Sequence, residues 1–100
     1  MHIHFVRTGG FAGMRLETSV DSEMLPPVEA RAIDHEIEQS NFFQLPSFIK
    51  SSTGGADRFQ YQITVQVGYE MHTVEVDEAE MPDALQALVQ HLNLLARTRR

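Results

Sequence analysis

Apolar and polar residues alternate along this chain with two distinct periods, and the periods define its elements. From His2 to Thr8, Ile3, Phe5 and Arg7 fall on one side and His2, His4 and Val6 on the other, a period of two that predicts a β-strand. The same period runs from Met14 to Val20, with Met14, Leu16, Thr18 and Val20 set against Arg15, Glu17 and Ser19. Between them lies Gly9-Gly10-Phe11-Ala12-Gly13, a link whose glycines accept positive φ, so the pair reads as a hairpin. The period then lengthens. Pro26-Pro27 marks a helix start, because a proline in the first helical position gives up only an amide with no intrahelical partner. Val28, Ala30, Ile33 and Ile37 follow at near-helical spacing among Glu29, Asp34, Glu36 and Glu38, and Ser40-Asn41 ends the helix. Phe42-Phe43-Gln44-Leu45-Pro46 predicts an apolar anchor for the exit chain, with Pro46 holding Leu45 extended. Residues 47–57, which include Ser51-Ser52-Thr53-Gly54-Gly55, read as the longest and most mobile loop.

Alternation resumes at Arg58. Phe59, Tyr61, Ile63, Val65 and Val67 share one face and Gln60, Gln62, Thr64 and Gln66 the other, the clearest strand in the chain. Gly68-Tyr69-Glu70 predicts a turn, and Met71 to Val76 runs back with His72, Val74 and Val76 on one side. Pro82 opens a second helix in which Leu85, Leu88, Val89, Leu92 and Leu95 form one stripe. Asp83 near its start and Arg97, Arg99 and Arg100 at its end complement the helix dipole. The expected architecture is α+β in the order β-β-α-β-β-α, an antiparallel four-stranded sheet with two covering helices. It fills a single domain, residues 1–100, with an ordered core over about 2–96 and fraying at 97–100.

Composition narrows the function classes. A chain of 100 residues is one domain in size, and 42% apolar with 22% charged residues is ordinary globular composition. The absence of cysteine excludes disulfide scaffolds, cysteine-ligated zinc, iron–sulfur clusters and thiol chemistry. A net charge of −6 is the wrong sign for a surface that tracks phosphates, so nucleic acid is not an expected partner. No apolar run approaches the roughly 18–20 residues of a membrane span. The start of the chain lacks the basic and apolar regions of a signal peptide. A cytoplasmic monomer is expected.

Few constellations carry chemistry. His2 and His4 share a strand face about 7 Å apart, since strand rise is about 3.3 Å per residue, and His72 is a candidate third ligand. No diagnostic spacing completes that set, so no metal or other cofactor is expected. The glycine link is not a phosphate loop, because a strand follows it rather than a helix. Glu75, Asp77, Glu78 and Glu80 read as a solvated strand end, lacking the spacing of a calcium loop. No serine sits in Gly-x-Ser-x-Gly. These absences favour a binding protein over an enzyme. Phe11, flanked by glycines, is a candidate anchor for a partner's pocket, and the uncharged glutamine face is a candidate docking surface.

Thr8-Gly9-Gly10-Phe11-Ala12-Gly13, Leu25-Pro26-Pro27 with Glu29, Phe42-Phe43-Gln44-Leu45-Pro46 and Gly55-Ala56-Asp57-Arg58-Phe59-Gln60-Tyr61 occur in that order. With His72-Thr73-Val74 and the leucine-rich end, the series resembles the emfourin family, bacterial protein inhibitors of thermolysin-like metallopeptidases, over about residues 3–95. The resemblance implies an α+β fold and a cytoplasmic protein that blocks the cleft of such a protease. Phe11 is then the candidate occupant of the protease's apolar pocket, with Gly9, Gly10, Ala12 and Gly13 bringing the backbone close. Glu29 and Arg58 are candidate rim contacts. A non-inhibitory interaction module or a subunit of a larger assembly is the alternative.

Overall fold

The computed structural model describes residues 1–10, 13–50 and 58–98. Phe11 and Ala12, residues 51–57 and residues 99–100 lie outside the described part.

Two long strands build the centre of a sheet. β1 (His2–Gly9) and β4 (Phe59–Val67) pair antiparallel, with Phe5 opposite Ile63 and Ile3 opposite Val65. β2 (Leu16–Asp21) pairs antiparallel with the other edge of β1, and β5 (Glu70–Asp77) with the other edge of β4. The inward row of each strand is fully apolar at its middle: Ile3, Phe5, Val20, Ile63, Val65, Val74 and Val76 are all buried. Helices α1 (Pro27–Gln39) and α2 (Asp83–Thr98) cover that face. α2 buries the whole predicted stripe, Leu85, Leu88, Val89, Leu92 and Leu95, and adds Ala96. At about 25 cal/mol per Å² of apolar surface, each such leucine contributes about 2 kcal/mol to docking the helix.

The four-stranded antiparallel sheet is corrected here. The sheet has five strands in the order β2-β1-β4-β5-β3 and is mixed, because the short β3 (Phe48–Ile49) adds to the outer edge of β5 in parallel. The stretch read as the start of a long loop is therefore a strand, fixed by the Glu75 amide donating to the Ser47 carbonyl at 2.8 Å. The exit from α1 places it. Asn41, at φ 55, reverses the chain, and Phe42 drops into the core with Phe43 and Leu45 packed beside it. His72 on β5 holds the same segment through its Nε2, 2.7 Å from the Leu45 carbonyl.

Several side chains depart from the periodic reading, the exposed Val67 at the end of β4 among them. Val28 is exposed rather than inward, so the apolar stripe of α1 is carried by Ile33 and Ile37. Met14 precedes β2 and is 69% exposed. Val6 points away from the helices yet is buried, because Glu17 on β2 and Gln62 on β4 lie opposite it on either side. The rest of that outer face carries no helix. It presents the polar row Gln60, Gln62, Thr64 and Gln66, with Thr64 and Thr73 hydroxyls 2.8 Å apart across β4 and β5.

Candidate functional site

The end of the sheet where β1 finishes and β4 begins gathers most of the sequence-nominated residues. Gly9 and Gly10 leave β1 with φ of 88° and 77°, a region that side chains with a Cβ rarely adopt. The Gly10 amide donates to the Arg58 carbonyl at 3.1 Å, and the Gly13 amide donates to the Gly10 carbonyl at 3.1 Å. Both hydrogen bonds lie at the base of the hairpin and fix where it leaves the sheet.

The close approach is as important as the turn. A Cβ on Gly9 would stand 2.5 Å from the Arg58 carbonyl oxygen, and one on Gly10 would stand 2.4 Å from the Phe59 ring. The backbone lies directly on Phe59. That ring is held in turn by the Arg7 guanidinium, 4.4 Å from its centroid, and by Tyr61, 6.3 Å away. Arg7 continues into the helical layer by donating to Asn93 Oδ1 on α2 at 2.8 Å. A chain of contacts thus runs from the hairpin base to the core-covering helix.

Arg58 is anchored on the other side. Its Nε donates to Asp77 Oδ1 at 3.1 Å and a terminal nitrogen donates to Oδ2 at 3.4 Å. Asp77 is buried, which corrects for this residue the reading of its run as a solvated strand end, while Glu78 and Glu80 are exposed. It also accepts from the Ala79 amide and from the Gln60 side chain, each at 2.9 Å. The Ala79 and Gln60 hydrogen bonds, with the Arg58 charge, hold its carboxyl below the usual carboxylate range against the opposing effect of burial. Next to it, Glu78 accepts from the Phe59 amide at 2.8 Å. Burial, and then the Glu78 carboxylate, push the Tyr61 phenol above its ordinary value, while Arg7 opposes them.

Among the nominated residues, the structure brings together Gly9, Gly10, Gly13 and Arg58. Phe11 and Ala12 lie outside the described residues. Glu29 is elsewhere: it sits on α1, 3.7 Å from His91 of α2, which Glu36 also meets at 3.1 Å. Its contact is with the second helix. The three candidate metal ligands do not converge. His2 and His4 face the open side of the sheet, beside Asp21 at 3.7 Å and Glu17 at 2.8 Å, whereas His72 faces the helical side against Phe42 and Phe43. Among the described residues, no group of three metal-binding side chains forms.

Sequence reasoning passed over Phe59 and Asp77 as parts of this end. Phe59 was legible only as one member of an apolar row, and the Arg58–Asp77 pair spans 19 residues that no local pattern connects. What this end of the sheet offers is a hairpin whose two ends are hydrogen-bonded at Gly10 and Gly13, with apolar and charged surface around them.

A family model, Emfourin, matches residues 5–93 of the chain. No curated protein and no solved structure matches it.

Proposed function

The chain belongs to the emfourin family, and from that premise we propose that it is a protein inhibitor of thermolysin-like metallopeptidases. The family is one of inhibitors, and family membership is the observation that carries the reading. In this proposal the hairpin after β1 enters the protease's active-site cleft and excludes substrate by occupying it. Such proteases favour bulky apolar residues beside the scissile bond, and Phe11 is the side chain offered to that pocket.

The hairpin base supports the choice of surface. A loop that must be ordered on binding loses affinity to conformational entropy, whereas one fixed beforehand avoids much of that cost. The Gly10 and Gly13 hydrogen bonds and the packing of Gly10 on Phe59 fix the two residues that flank Phe11 and Ala12. Fixation also opposes cleavage, because a restrained peptide cannot relax into the geometry of attack. The hairpin alone is too small for a standard interface of about 800 Å² per partner. Exposed Met14 and the turn at Glu78–Glu80 add surface at the same end. Arg58 is assigned a positioning role here, since its side chain is committed to Asp77.

Chelation of the protease zinc by His2 and His4 is the weaker mechanism. Those histidines lie beside Asp21 and Glu17 on an open sheet face rather than on a protrusion. The direct test is hydrolysis of a peptide substrate by a thermolysin-like protease as the purified protein is added. The expected result is loss of activity near equal concentrations of the two proteins. Full activity at large excess overturns the reading.

A further inference from the structure

A second surface lies at the other end of the sheet. Met1, Ser22, Glu23, the last turns of α1, the Phe42–Gln44 segment and Val67 enclose a groove of about 590 Å³. Its floor is apolar: Ile37 and Phe42 are buried, Phe43 is half-buried, and Val67 forms an exposed lip. Its rim carries the exposed carboxylates of Glu23, Asp34 and Glu38. β1 extends through eight residues, so at about 3.3 Å per residue this groove lies roughly 25 Å from the glycine hairpin.

The carboxylates distinguish the groove from an ordinary gap between elements. Elsewhere in the molecule most acidic side chains have partners: Glu17 and Asp21 meet His4 and His2, Glu29 and Glu36 meet His91, Glu75 meets Lys50, Asp77 meets Arg58 and Glu78 accepts from the Phe59 amide, while Glu70, Glu80 and Asp83 have none among the described residues and share no groove. Around the groove, Glu23, Asp34 and Glu38 have no side-chain hydrogen bond or ion pair among the described residues. No Lys, Arg or His side chain is among the described residues that line it.

We propose that this groove binds a peptide segment of a partner protein in which an apolar side chain is flanked by lysine or arginine. The apolar side chain would rest on Ile37, Phe42 and Phe43, where the volume is within the range of small ligand pockets. Flanking cations would meet the unpaired carboxylates, and a lysine or arginine stem would cover the remaining apolar lip at Val67. An anionic or purely polar segment fits neither the floor nor the rim. The site is independent of the protease reading, since the hairpin and the groove occupy opposite ends of the sheet and can be filled together.

The test is a titration of the full chain, followed by amide NMR, with an acetylated and amidated peptide Gly-Lys-Leu-Lys-Phe-Arg-Gly. The same peptide with glutamate in place of each cation serves as the control. The expected result is saturable shifts at Glu23, Asp34, Ile37, Glu38, Phe42, Phe43 and Val67, with Gly10 and Gly13 unmoved. Replacing two of the three exposed acids together, Asp34→Lys with Glu38→Lys, should weaken binding at least tenfold and leave both the fold and protease inhibition intact. Four outcomes overturn the proposal. These are absence of saturation at millimolar peptide, equal binding of the glutamate peptide, concentration-dependent shifts of the same residues without peptide (which assign the groove to a second copy of the chain), and loss of protease inhibition in the charge-reversed variant.

Discussion

At one end of the sheet Gly9 and Gly10 turn the chain against Arg58 and Phe59, while at the other Gly68 and Tyr69 turn it into open solvent. Both hairpins depend on glycine at positive φ, but for different reasons. A Cβ on Gly9 or Gly10 would meet another part of the protein within 2.5 Å, whereas a Cβ on Gly68 would meet nothing within 4 Å. The first hairpin is held by long-range packing, and the second by its own two strands. Tyr69 is fully exposed and Met71 and Val67 are substantially so; beyond the β4–β5 ladder the tip is met by the Gln66 side chain, which donates to the Gly68 carbonyl at 3.4 Å. Exposed apolar surface marks a candidate contact, and a fixed backbone marks one that can bind without first being ordered.

The largest effect should follow Gly9→Ala. The new methyl group meets a backbone carbonyl that cannot swing aside, and the φ of 88° is itself unfavourable. A loss of about 2–4 kcal/mol is expected in urea unfolding. Next comes Phe11→Ala, which should weaken protease inhibition at least tenfold, about 1.4 kcal/mol, with little change in stability. Gly68→Ala should cost only about 1 kcal/mol, because strain is present without collision. Equal losses at Gly9 and Gly68 would show that close approach adds nothing to the first hairpin.

A smaller effect is confined to acid pH. The Asp77 carboxyl titrates below its ordinary range in the folded chain, so the unfolded chain binds this proton more tightly. The stability it contributes is complete above the unfolded value of about 4 and is lost as pH falls through the lowered folded value. Unfolding followed through that window should show a shallower acid limb in Asp77→Asn than in the parent. An unchanged limb would remove Asp77 from the support of Arg58. Smallest of all, Tyr69→Ala should leave the inhibition constant unaltered. A loss there comparable to that at Phe11 would move the contact to the opposite end.

The elements that could be read from sequence are those whose pattern is local. The α2 stripe from Leu85 to Leu95 repeats through three turns, and the middle row of β4 alternates without interruption, so burial follows directly from period. Phe48–Ile49 is too short to have a period, and only its pairing with Glu75 and Val76 makes it a strand. Val28 shows the opposite failure. It continues the helical spacing, but the first turn of α1 lies beyond the surface that Ile33 and Ile37 cover. At the candidate site, glycine spacing locates the hairpin, and the neighbouring Arg58 is a candidate rim contact. Its partner Asp77 is 19 residues away, and the pairing turns a nominated contact into a support. Glu29 is a candidate rim contact by its place in the family-like motif, yet the helical layer engages it with His91.

Amide hydrogen exchange of the protein in complex with a thermolysin-like protease tests the assignment of the docking end most directly. The account predicts new protection at Gly10, Gly13 and the residues between them, with the Gly68–Glu70 turn exchanging as in the free protein. Protection at Gly68–Glu70 with the glycine hairpin unchanged would contradict it.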